Sequence, residues 1–326
     1  MSQVLITVDT ELSAGRHARG LDARANFESS ILGRTDQGDF GIGWQMDRLE
    51  AHDLKGVFFV DPMPALVHGE ALVADIVSGI VARGHEVQLH IHTEWLEWAR
   101  VSPVAGRTGH NLGDFSLDDQ IVLLELARDM LVRAGAPRPI AFRAGNYGAD
   151  DNSLKALATI GMTWDASVNA AYLGSGCRIT FPADRATAAP LHGVTELPVA
   201  GLYDRPGHFR PAQICAVSSA EMRAALCHAA GTRDFAFAII THSFEMLSRD
   251  RLRPNRAVMA RFESLCSDIA ATPGLEAACF ADLDAAALAQ APSSDHRLPP
   301  NYLRTAGRIA EQLFATWRYE RRLLPA

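Results

Sequence analysis

Short apolar runs alternate with longer amphipathic stretches along most of the chain, a pattern that predicts repeated strand–helix units. Strands are expected at residues 4–8, 56–60, 87–92, 140–143, 162–165, 194–199, 235–241 and 277–280. Between them, apolar residues recur at spacings of three and four. Pro64 opens one such segment, whose stripe of Leu72, Val73, Ile76, Val77, Ile80 and Val81 stops at Gly84. Ser116 caps another, with Asp119 three residues on and Ile121, Leu124, Ala127 and Leu131 running to Gly135. Units of this kind give parallel strands with helices outside, and seven or eight of them favour a closed barrel over a doubly wound sheet.

Three segments break the repeat. Residues 14–43, rich in glycine and charge, read as a long loop over one end of the sheet, and residues 100–115 as a second. Loops of that length in a compact domain are usually lids or binding surfaces. Residues 291–300 read as a linker, after which Tyr302, Ala306, Ile309, Ala310, Leu313, Phe314 and Trp317 form one helical stripe. Such a face must be buried, on the barrel or on a partner subunit of a homo-oligomer, and the barrel is the expected place. The organisation is therefore a barrel over residues 1–290 and a linker with a C-terminal amphipathic helix over residues 291–326.

Composition narrows the partners. The 326 residues are 48% hydrophobic and 21% charged, a globular balance. The net charge of −7 and the absence of a basic run argue against nucleic acid. No apolar stretch approaches the 18 or so residues needed to span a bilayer, so a membrane is not expected as a partner either. Met1 leads almost directly into the first strand, without the basic and small-residue features of a signal peptide, and the five cysteines show no metal or disulfide spacing. A cytoplasmic location is expected.

In a barrel of parallel strands, chemistry gathers at the carboxyl ends of the strands. The first strand runs into Asp9-Thr10-Glu11, and another into His90-Ile91-His92-Thr93-Glu94. A further strand ends Arg143-Ala144-Gly145-Asn146-Tyr147-Gly148, and a late one Thr241-His242-Ser243. His90 and His92 alternate with Leu89 and Ile91, so both imidazoles share one face, and with Glu94 nearby they suggest a metal site. Elsewhere, His17, His110 and His208 read as surface residues, and Trp95 and Trp98 as core.

The order of these segments resembles the polysaccharide deacetylase family (NodB-homology domain, carbohydrate esterase family four), in particular a cytoplasmic bacterial branch with an altered metal motif. Thr7-Val8-Asp9-Thr10-Glu11 is similar to the family's T-F-D-D motif, and Gly84-His85-Glu86-Val87 to the strand before its second motif. Arg143 to Gly148 resembles R-x-P-Y-G with one extra residue, and Ile240-Thr241-His242 the leucine-x-histidine motif. The strand Gly56-Val57-Phe58-Phe59-Val60 has a counterpart too, so the resemblance spans roughly residues 3–285.

The resemblance implies a distorted (β/α) barrel of about seven parallel strands with a C-terminal helical extension. It also implies a divalent-metal hydrolase that removes N-acetyl groups from a sugar or glycan precursor. Asp9 would then be the general base, Arg143 the cation that keeps it ionised, and His242 the general acid. Asn146 and Tyr147 would contact substrate and oxyanion, and Asp165 would support the acid histidine from behind. Because the family's adjacent second acid is Thr10 here, metal ligation falls to Glu11 with His90 and either His92 or Glu94. Zinc is the expected ion, with manganese or magnesium as alternatives. The altered motif leaves two other readings, an amide or cyclic-imide hydrolase on the same fold and a non-catalytic glycan-binding relative.

Overall fold

The computed structural model describes residues 1–232, 236–290 and 297–320. A nine-stranded sheet organises it: β1 (Ser2–Thr10), β2 (Val57–Val60), β3 (Glu86–Ile91), β4 (Ala141–Ala144), β5 (Trp164–Asp165), β6 (Ala189–Leu191), β7 (Val194–Glu196), β8 (Ala236–His242) and β9 (Leu275–Ala277). The order is β8-β1-β2-β3-β4-β5-β7-β6, with β9 on β1. All pairings are parallel except β6 with β7. The chain after β7 returns to β8 through isolated contacts, Val199 beside Ala238 and Gln213 beside Ile240. The ring is thus completed by single bridges rather than a regular ladder, which makes this a distorted (β/α) barrel.

Alternation along the strands decides what faces inward. Leu5 of β1, Val57 and Phe59 of β2, Ala141 of β4, Trp164 of β5 and Ala238 of β8 share one interior cluster. Their neighbours Ile6, Phe58, Phe142 and Ile239 pack outward into the helical layer. Two or four residues further along each strand, the same inward parity reaches Thr7 and Asp9, Asp61, Arg143 and His242. The barrel is therefore apolar at its base and polar at its carboxyl rim. Phe280 plugs the base, with its ring 5.7 Å from both Phe59 and Trp164.

Several expectations need adjustment. Residues 277–280 are not a strand; β9 ends at Ala277, and Phe280 turns into the barrel because the Glu86 carboxylate accepts the N–H groups of Phe280 and Ala281 at 3.0 Å. The helix opened by Pro64 breaks at Gly69, whose φ of 86° interrupts it, and resumes at Ala71–Val81. Residues 14–43 are folded, with helices at Ala14–His17 and Ala23–Phe27, a small hairpin, and the start of the helix Ile42–Glu50. His17 is no bare surface residue, since its ring lies 4.8 Å from Trp98 and 5.2 Å from Trp95. The cap at Ser116 is as expected, its hydroxyl accepting the Asp119 N–H. Residues 291–296 of the expected linker lie outside the described residues.

The C-terminal helix Tyr302–Ala315 packs on the barrel with the opposite face from the one expected. Phe314 is 59% and Trp317 58% exposed, while Arg308 is buried. Charge fixes this rotation. Arg308 donates to Asp204 at 2.8 Å and to Glu221 at 3.1 Å, and both acids are buried, so an inward apolar stripe would leave two carboxylates without this cation. Arg308→Ala should weaken docking by about 3 kcal/mol. Limited proteolysis should then cut near residue 300 in the variant while the barrel's melting temperature changes little; equal resistance in both proteins would contradict this.

Candidate active site

Parallel register places the polar rim residues beside one another. Asp9 on β1 pairs with His242 on β8, and His90 on β3 with Arg143 on β4. A pocket of about 260 Å³ opens above them, with Asp9, Glu11, His90, His92, Asn146, Tyr147 and His242 in its wall. Asp9 and Glu11 both face it, as the extended chain requires. Thr10 between them is buried, and its hydroxyl turns back to the Val8 carbonyl at 3.1 Å.

Arg143 holds the floor. Its Nη1 donates to Asp9 Oδ1 at 2.6 Å and to Thr7 Oγ1 at 2.9 Å, its Nε donates to the Ala166 carbonyl, and its guanidinium lies 4.3 Å from the Phe59 ring centroid. Burial alone would raise the Asp9 carboxyl, but Arg143, with His90 and His242, outweighs it and holds Asp9 below the usual carboxylate range. His242 is pushed the other way. Burial would lower its imidazole, yet Glu245, 2.8 Å from Nδ1, together with Asp9 raises it to about 9. The His242 Nε2 stands 3.9 Å from Asp9 Oδ2.

The second half of the site is a trio. Ligand atoms of Glu11, His90 and His92 lie within 4.8 Å of one another. His90 Nδ1–H donates to the Arg143 carbonyl at 2.7 Å, which turns Nε2 toward Glu11 Oε2 at 3.2 Å. With Nδ1 carrying the ring hydrogen, a neutral His90 presents a lone pair to that carboxylate, an arrangement that needs a proton or a metal cation between them. His92 Nε2 also contacts Glu11 Oε2. Burial would lower the His92 imidazole, but Glu11 and Glu94 raise it well above its ordinary value, while the two histidines hold Glu11 well below its own. Glu94 approaches the opposite nitrogen, His92 Nδ1, at 3.2 Å and accepts from Asn146 Nδ2 at 2.9 Å. It therefore sits behind His92 rather than in the trio. Two imidazoles and a carboxylate, one imidazole braced by a backbone carbonyl and the other by a carboxylate, suit a divalent cation.

The loop after β4 closes over this trio. A Cβ on Gly145 would stand 2.6 Å from the Ile91 carbonyl oxygen and 2.8 Å from His92 Nδ1, so no larger residue fits there. Asn146 and Tyr147 both take positive φ, 56° and 55°, and the Tyr147 ring stacks on Tyr172 at 5.1 Å. Asp165 lies elsewhere than anticipated. It accepts from Ser167 Oγ at 2.7 Å, and that hydroxyl accepts the Ala144 N–H, so Asp165 braces β4 while Glu245 is the carboxylate that touches His242.

Sequence reasoning passed over three residues. Glu245 follows His242 by three positions, a spacing that was open to inspection. Asp61 directly follows β2; it is buried, its Oδ2 has no hydrogen-bond partner among the described residues, and burial pushes its carboxyl up to about 7 against the pull of His92 and His90. Gln45, whose Nε2 donates to the His242 carbonyl at 2.9 Å, carried no signal, because its helix follows the segment read as a loop.

No protein-family model matches the chain, and no curated protein does. Among solved structures, the chain is similar over 100% of its length to 94% of a protein from Mycobacterium smegmatis described as a polysaccharide deacetylase, at 16% identity and a TM-score of 0.53. It is also similar over 86% of its length to 40% of 4-alpha-glucanotransferase from Thermococcus litoralis, at 10% identity and a TM-score of 0.53. These likenesses show the fold. Arg143→Ala should cost about 3–5 kcal/mol of folding stability, because Asp9 would be left buried without its cation. Urea denaturation measures this, and a loss under 1 kcal/mol would mean that the pair is not buried as described.

Proposed function

We propose that this chain is a metal-dependent hydrolase that removes an N-acetyl group from a sugar or glycan precursor. The observation that carries the proposal is the convergence of Glu11, His90 and His92 beside Asp9, ion-paired to Arg143, and His242, held by Glu245. Glu11 Oε2, His90 Nε2 and His92 Nε2 are the atoms that would hold the cation, which supplies Lewis acidity and lowers the pKa of water when bound. Zinc suits two imidazoles and a carboxylate, and manganese or magnesium are the alternatives.

The remaining chemistry belongs to the chain's own groups. Asp9 is kept ionised and aimed by Arg143, so it can accept the proton of the attacking water. His242 stays protonated at neutral pH because Glu245 stabilises its charge, so its Nε2 can deliver a proton to the departing amine. Opposite pulls on two neighbouring titratable groups separate base from acid. The backbone N–H groups of the Asn146–Tyr147 turn, whose residues line the pocket, are the groups we assign to stabilising an oxyanion. The stacked Tyr147 and Tyr172 rings offer a flat surface to a sugar. The 4-alpha-glucanotransferase shares the fold, but paired imidazoles beside Glu11 favour hydrolysis of an amide over glycosyl transfer.

Purified protein should release acetate from N-acetylated sugars, lose this activity with a chelator and regain it on adding a divalent ion. Asp9→Asn should lower kcat/KM by about 10²- to 10⁴-fold. Release that is indifferent to chelator and to this substitution would refute the mechanism. Activity that needs protonated His242 persists below its raised pKa and falls as pH climbs toward about 9. Removing the charge of Glu245 with Glu245→Gln lowers that pKa, so the alkaline limb of the pH–rate profile should move to lower pH; an unmoved limb would remove His242 as the acid.

A further inference from the structure

A second, larger cavity of about 570 Å³ abuts the candidate active site. Glu245 lines it from one side while touching His242 of the first pocket. Its charged wall consists of Arg249, Arg251, Arg261 and Glu245. Glu245 is already engaged by His242, Gln213 and Thr241, and Arg261 donates to Glu311 at 3.1 Å. Arg249 and Arg251 have no carboxylate within ion-pair distance among the described residues. In a chain of net charge −7, two guanidinium groups without an ion-pair partner among the described residues stand out beside the reaction centre.

Arg251 is also held with care. Its φ of 63° puts a non-glycine residue in the left-handed region, a conformation that persists only where its surroundings enforce it. Its Nη1 donates to Ser30 Oγ at 2.7 Å, and its guanidinium carbon lies 3.8 Å from the Phe244 ring centroid. Phe244 in turn lies 5.4 Å from the His242 ring. Phe244 therefore stands between this guanidinium and the proposed proton donor, with its ring against both. Burial and the neighbouring Arg16 and Arg19 lower this guanidinium to about 10 against the opposing pull of Glu11, so an anion bound there would stabilise its charge further.

We infer that Arg251, assisted by Arg249, forms an anion subsite, and that the substrate is an acetylated sugar carrying a phosphate or carboxylate group. This rests on the deacetylase reading above and adds the charge of the substrate to it. Planar guanidinium forks suit both anions, and tighter binding follows from a charged acceptor placed in a partly desolvated wall.

The test is titration calorimetry on the zinc-loaded full chain with three probes: N-acetylglucosamine, its 1-phosphate, and N-acetylmuramic acid. The same probes are followed for acetate release. At least one anionic probe should bind about tenfold tighter than the neutral sugar, and which one does identifies the anion. Arg251→Met should bring the preference close to one, Arg251→Lys should retain part of it, and Arg249→Met, at an exposed position, should reduce it without a change in melting temperature. Equal binding of all three probes, or a preference that survives Arg251→Met, would overturn the subsite. An anion preference that depends on Arg251, without acetate release from any probe, would instead keep the subsite and reject the deacetylase reading.

Discussion

One buried ion pair organises the upper half of the barrel. Arg143 reaches from β4 to Asp9 on β1 at 2.6 Å, across a floor whose lower layer is Phe59, Trp164 and Phe280. Neither charge could sit there alone, since an isolated ion in such surroundings loses most of its hydration. The pair therefore fixes the distance across the barrel and marks the level at which an apolar interior becomes a polar site. Above it, the same register that joins Asp9 to His242 and His90 to Arg143 leaves the reactive groups no freedom to drift apart.

Much of this was legible along the chain because a strand has a period of two. Once Leu5 faces inward, Thr7 and Asp9 must do so as well, and the argument repeats for Gln88, His90 and His92. Strand ends therefore pointed to Asp9, Glu11, His90, His92, Arg143 and His242, all of which the fold brings into contact or close approach around one pocket. Asp61 obeys the same rule, but a single acid after Phe59-Val60, with no second polar residue beside it, carries no motif. The contacts that periodicity cannot express were the ones missed. Glu245 reaches His242 across a turn, and Asp165 was assigned by resemblance to a neighbour it does not touch.

The C-terminal helix shows where hydrophobic patterning misleads. Its stripe predicted burial of Tyr302, Ile309, Leu313, Phe314 and Trp317, yet these residues face outward. Two buried acids, Asp204 and Glu221, set its rotation through Arg308, because the cost of stranding charge exceeds the gain from covering a few apolar side chains. Residues 14–43 gave the opposite surprise. Short helices with individual side-chain caps, such as Asp22 accepting from the Ala25 N–H, carry too little periodicity to be seen in a sequence. They nonetheless lead into the helix that places Gln45 under His242.

The central claim is that Glu11, His90 and His92 share a divalent cation. Crystals soaked in zinc and measured at its absorption edge test this most directly. An anomalous peak bonded to Glu11 Oε2, His90 Nε2 and His92 Nε2, with Glu94 still on His92 Nδ1, is the predicted result. A site without a peak at saturating zinc, with the Glu11–His92 ion pair intact, would contradict the account and leave a barrel whose polar rim is held together by protons alone.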